Sequence, residues 1–536
     1  MLTKFFIFFN VQVGKNINLT KDVLYCKMVF AVSFDTKKGE KMFYIIFSVL
    51  FAIFVATFCV LKFVVFKNSE KFEQASQKVL KIASIVYCSL MLVSILLPDR
   101  FSLSFSSEEL ASSDIDKGYA IIRWFSLVNF VILPLAVFFK NRTIKNIAIY
   151  FCIPVSIASI FFYENYMVDF TSTVGRGLNS ISVLSQSFKN FLINPIFRSI
   201  WFGLILMLQL LIPIVLAIKE KHIFDFKNSK EYAYFFLILP FVILSIVPIY
   251  VPQHLFGYSN MIFEAYSLVH IFWFLSIIAE IAILYFLFRK KDNQTKMLLL
   301  FVLALSLVMQ YNQMFSAISI NAKRFPFQLC NIGSYLVLIS LLTKNKKLFN
   351  FTVIINVVGV IFALAMPDLD GRGLFYLYNM HFIFEHGNVL IVPVLALMFG
   401  IFPRLDKHSL IDCLIGFTIY FASAWILGTT FNAIAKATGN NFYEANYLFM
   451  FLPDVAIELL PFTKALFDIN FSVGYATIYP VLQILIYIVF VSVCTLLFFA
   501  IQLVYKIKDL IKSNKNLTKQ NQADIQSDTQ NANIEQ

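Results

Sequence analysis

Charge is what this sequence has least of. Only 14% of its 536 residues are charged, against 59% hydrophobic, and the mean hydropathy is +0.76. A soluble domain carries about a quarter of its residues as Asp, Glu, Lys and Arg, so that class is excluded. Nucleotide signatures are missing as well: there is no Walker motif and no dinucleotide fingerprint. The seven cysteines, Cys26, Cys59, Cys88, Cys152, Cys330, Cys413 and Cys494, form no Cys-x-x-Cys pair and show no metal-ligand spacing. Neither a disulfide framework nor a metal site is supported, and no cofactor is implied. Six of the seven fall in apolar runs, where a cysteine is usually a small apolar filler.

What remains is a succession of apolar runs of about 20 residues, each long enough to cross a hydrocarbon core. The fold class read from them is an all-α polytopic membrane protein with about thirteen transmembrane helices. They are placed at 42–66, 79–98, 119–139, 146–163, 200–218, 232–252, 264–288, 297–317, 325–343, 348–366, 379–402, 409–434 and 473–505. The net charge of +13 does not point to nucleic acid. Its basic residues concentrate in short loops at 67–78, 140–145, 219–231, 289–296, 344–347 and 403–408, the pattern of the positive-inside rule. That rule puts the N-terminus outside the cell membrane and the C-terminus in the cytoplasm. Membrane lipids are the expected partners.

The organisation expected along the chain has four parts. Residues 1–41 are weakly patterned, and Lys37-Lys38-Gly39-Glu40-Lys41 can be encoded by a ribosome-binding sequence ahead of Met42, so this stretch reads as a mis-assigned extension. Residues 42–254 form a six-helix bundle and 255–505 a seven-helix domain. Residues 506–536, polar and Asn/Gln-rich, read as a disordered cytoplasmic tail. Phe139-Lys140-Asn141-Arg142 aligns with Thr343-Lys344-Asn345-Lys346, which suggests a parallel 6+7 repeat with the first copy a degenerate scaffold. The loop at 435–472, with its apolar middle, reads as interfacial or re-entrant.

Chemistry concentrates between Phe325 and Pro393. Polar groups inside apolar helices are costly in lipid and need partners or a wet cavity. Cys330 lies five residues beyond Phe325, and His386 five beyond His381, so both are expected about 8 Å below their helix starts on the same side. A thiol becomes a nucleophile when a base takes its proton, and a histidine on a neighbouring helix can do that. Glu385 or Asp368 would orient the imidazole. His270 shares that side, and Gln328 and Asn331 flank the thiol. Each has a plainer reading: Cys330 as packing, His386, Gln328 and Asn331 as helix-bridging hydrogen-bonders, Asp368 after Pro367 as a helix stop. His381, at the mouth of its span, reads as interfacial, and Gly333 and Gly387 as close-packing positions.

Residues 255–500 resemble the YwaF family of bacterial integral membrane proteins. The resemblance rests on Ser267-Leu268-Val269-His270, Pro326-Phe327-Gln328-Leu329-Cys330-Asn331, Met366-Pro367-Asp368, Phe384-Glu385-His386-Gly387 and Asn446-Tyr447-Leu448-Phe449, in that order. Gln328 and Asn331 stand where the family usually has His and Asp. A vertebrate relative of that family is a membrane acyltransferase building ether phosphatidylethanolamine, with a Cys and a His implicated. The resemblance therefore implies a lipid acyltransferase or transacylase with Cys330 and His386 as catalytic residues near the outer leaflet. A transporter or substrate-binding subunit, and a non-catalytic scaffold, remain the alternatives.

Overall fold

A computed structural model describes residues 36–66, 69–96, 117–167, 183–220, 229–257, 261–318, 321–365, 369, 372–452 and 463–534. Its helices are α1 (Thr36–Val60, closed by a π-turn at Leu61–Val65), α2 (Glu70–Leu96), α3 (Lys117–Phe138), α4 (Arg142–Ile160), α5 (Gln186–Leu192) and α6 (Pro195–Glu220). There follow α7 (Ser229–Ser245), α8 (Val251–Phe256), α9 (Leu268–Phe288), α10 (Asn293–Ile318), α11 (Leu329–Thr343) and α12 (Lys346–Ala365). The last are α13 (Leu377–Met398), α14 (Lys407–Thr438), α15 (Thr463–Asp468) and α16 (Pro480–Ile534). One short antiparallel hairpin, β1 (Phe471–Val473) and β2 (Ala476–Ile478), precedes α16. This is an all-α polytopic membrane fold.

Among the described residues eleven helices are long and apolar enough to cross a membrane. Two of the thirteen expected spans are shorter. The span expected at 232–252 stops at Ser245, five residues after Pro240, and resumes as α8. The span expected at 325–343 begins only at Leu329. The last span begins at Pro480 rather than 473, because Gly474 turns the chain through a positive φ of 59° between β1 and β2. At its far end α16 continues to Ile534. Extending a helix already nucleated by an apolar span fixes one residue per hydrogen bond, which is far cheaper than starting one. At the other end, α1 begins ahead of Met42.

The core runs without interruption through both halves. Its centre is α10, whose buried residues pack on α11 and α13 and also on α2 and α3. Among the described residues, basic side chains beside these loops form ion pairs at one end of the bundle. There the Lys62 ammonium, 1% exposed, donates to the carbonyls of Ile218 and Lys219 at the C-terminal end of α6 and pairs with Glu73 at 3.1 Å. A cation at a helix C-terminus satisfies orphan carbonyls and the helix dipole together. Arg142 pairs with Glu231, Lys145 with Glu220, Lys346 with Asp406 and Arg404 with Asp509 at the same end.

Asp406 gives this end a pH signature. Its carboxylate binds Lys346 and also closes a capping box with Ser409 at the start of α14. The Lys346 hydrogen bond, then the Ser409 contacts, hold its pKa down to about 2, below the ordinary value of about 3.9. The contribution is therefore present above about pH 4 and lost as pH falls toward 2. Because the group is half exposed, solvent screening keeps it small. Thermal unfolding in detergent at pH 6 and pH 3 should show wild type losing more stability than Asp406→Asn.

Candidate functional site

The site is built where α11, α12, α13 and α14 converge. Cys330 is the second residue of α11, and Gln328 precedes the helix in an extended conformation. The segment before it is pinned rather than helical. Tyr447 donates to the Ala322 carbonyl and Tyr420 to the Phe327 carbonyl, each at 2.7 Å, and Pro326 disfavours helix in the residue before it. The Cys330 sulfur faces Gly359 on α12, where a Cβ would lie 3.3 Å from it. Glycine there makes room for the thiol.

His386 is the tenth residue of α13, which starts at Leu377 rather than near His381. Equal offsets from two helix starts therefore do not relate it to Cys330. No hydrogen bond joins the two side chains. The imidazole instead donates from Nδ1 to the Phe382 carbonyl at 2.8 Å in its own helix. That bond fixes the tautomer and leaves Nε2 as the lone-pair acceptor. The ring lies against Phe382, with centroids 4.3 Å apart.

What Cys330 and His386 share is Glu385. Its carboxylate, 2% exposed, is an electrostatic neighbour of both. It does not orient His386 as expected, because consecutive residues on a helix diverge by about 100°. It pairs instead with His381, one turn earlier, at Oε2–Nε2 2.9 Å. Glu385 Oε1 and His381 Nδ1 are buried without hydrogen-bond partners. Around this pair, Tyr335 donates to Asn312 at 2.7 Å, and the Tyr311 ring lies 6.1 Å from the His381 ring. Asn356 on α12 donates to the Val389 carbonyl at 3.3 Å and so ties α12 to the same stretch of α13.

The other candidates divide. Gln328 is a clamp: its Nε2 donates to the Asn446 carbonyl at 2.7 Å and its Oε1 accepts from Leu448 N at 3.0 Å. This holds the turn in which Leu448 and Phe449 take positive φ values of 53° and 57°. A neutral histidine also offers one donor and one acceptor, so Gln328 retains that capacity. Asn331 is partly buried in the first turn of α11 and has no hydrogen-bond partner among the described residues. His270 is 5% exposed and lies in a separate aromatic box with Phe263 and Trp273, which reaches His386 only through Phe382. Asp368 lies outside the described residues. Among the described residues no group of three His, Cys, Asp or Glu side chains could hold a metal ion. A groove of about 290 Å³ between α14 and α16, lined by Phe421, Trp425, Ile484 and Tyr487, contains none of these groups.

Sequence reasoning gave His381 only an interfacial reading and missed Tyr335, Asn312 and Asn356. His381 and Glu385 carried a usable signal, since His-x-x-x-Glu puts both side chains on one helix face. The others carried none, because each meets its partner across helices.

The TMEM164 family model matches residues 265–501, a little under half of the chain. It describes a membrane protein family, and the match takes in α9 to α14, the hairpin and the spanning part of α16. Every group of the cluster lies inside it. Nothing matches among curated proteins or among solved structures.

Proposed function

We propose that the half of the chain matched by the TMEM164 family is a membrane-embedded lipid acyltransferase or transacylase, with Cys330 as nucleophile and His386 as general base and acid. The supporting observation is the buried Glu385 carboxylate, which pairs with His381 and whose negative charge favours the imidazolium that forms when His386 takes a proton. Cys330 adds its position in the first turn of α11, where the positive end of the helix dipole favours a developing thiolate.

The chemistry needs two lipids and no further reagent. The Cys330 sulfur attacks the ester carbonyl carbon of a donor phospholipid. The S–C bond forms, the C–O bond breaks, and His386 Nε2 carries the thiol proton to the departing lysolipid oxygen. A second lysolipid hydroxyl then attacks the thioester. His386 takes its proton and returns it to sulfur, and the acyl group moves to the acceptor.

The test is acyl-thioester trapping in the native membrane with a clickable fatty acyl phospholipid. Wild type should yield a hydroxylamine-sensitive adduct at Cys330, Cys330→Ala should yield none, and the cellular phospholipid acyl profile should shift between them. A wild type that never acquires the adduct, with unchanged lipids in Cys330→Ala cells, would overturn the enzyme reading and favour transport.

A further inference from the structure

An ionisable group outside the proposed site lies within an apolar helix. Glu280 lies twelve residues into α9 from Leu268 and eight before Phe288, so at about 1.5 Å per residue it is near mid-bilayer, roughly 18 Å and 12 Å from the two ends. By surface area the residue is exposed. The packed side of α9 is made by His270, Trp273, Ile277 and Leu284, and Glu280 lies at the border of that stripe. The surrounding open face is apolar, with Leu275, Ile283 and Leu287 all more than half exposed. Among the described residues no ion pair or hydrogen bond reaches the carboxyl, and no charged group acts on it.

A carboxyl in this position is expensive in hydrocarbon, and such groups pair with one another, with backbone or with a partner. Arg289, nine residues on, is engaged over the Phe286 ring at 4.8 Å and too far along the helix to help. We propose that α9 is a docking helix for a transmembrane segment of another membrane protein, one that presents Lys, Arg or His opposite Glu280. Charge complementarity selects that occupant. A second copy meeting this face symmetrically would set Glu280 against Glu280, and like charges at contact disfavour each other. Ser276 and Ala279, small and exposed on the same face, allow the approach.

The experiment uses the full chain in its own membrane, with a benzophenone side chain placed at Ser276. The expected adduct links to a peptide in a spanning segment that contains a basic residue. Its yield should fall at least tenfold in Glu280→Leu, and equally when the partner's basic residue becomes leucine. Exchanging the two charges should restore it. Glu280→Leu suits a lipid-facing position, so it should purify and elute as wild type does. Adducts only with lipid, adducts with a second copy, or a yield indifferent to Glu280→Leu would each overturn the proposal.

Discussion

Replacing His386 with alanine should slow acyl transfer by about 10²–10⁴-fold, the usual worth of a positioned proton carrier, in a protein that still folds. The fold should tolerate it for two reasons. The side chain is only part-buried, and its single hydrogen bond goes to a carbonyl of its own helix. The conservative variant makes the test sharper. His386→Gln keeps an N–H able to reach the Phe382 carbonyl but has no group that accepts a proton from a thiol, so it should be as slow as alanine. His381→Gln retains a donor for the buried Glu385 oxygen now held at 2.9 Å and should cost much less. Rates of thioester formation measured on the three purified variants decide the matter. An active His386→Gln beside an inactive His381→Gln would transfer the role of base to His381.

The second large effect concerns packing. Gly333→Ala should destabilise the protein by about 1–3 kcal/mol, the usual range for an overfilled core. On an isolated helix the same change would stabilise by about 1 kcal/mol, so the sign is diagnostic. A Cβ at Gly333 would collide with the Asn356 side-chain oxygen, and both residues are buried between α11 and α12. Asn356 also holds the Val389 carbonyl, four residues past Glu385, so forcing it aside moves the part of α13 that carries the site. Thermal unfolding in detergent and thioester yield should fall together. Adding Asn356→Ala removes the obstructing amide and should recover much of the lost stability. A double variant no better than Gly333→Ala would show that the collision is not the cause.

The two expectations drawn for Gly333 and Gly387 came out differently. Gly333 is a close crossing, whereas a Cβ at Gly387 would meet Ile277 at an ordinary 3.8 Å. A glycine in an apolar helix announces that a neighbour can approach, but the neighbour belongs to another helix, and only the folded bundle shows its distance. The same limit governed the thiol and the imidazole. Counting from Phe325 and His381 set them at matching depths, but α11 starts four residues after Phe325 and α13 four before His381. The late start of α11 is imposed by Tyr420 and Tyr447, residues about a hundred positions away in the chain.

What the sequence determined by itself was the class of molecule and the positions of nearly all its spans. In hydrocarbon every backbone group must be satisfied within its own segment, so a run of about 20 apolar residues carries its own structure, and the basic loops are legible from charge alone. What only the tertiary structure decided was the company each polar side chain keeps: Glu385 with His381, Gln328 with the turn at Asn446, Cys330 against Gly359. Those pairings depend on helix starts, rotations and crossings set by contacts between distant segments, to which a local pattern of hydrophobicity is blind.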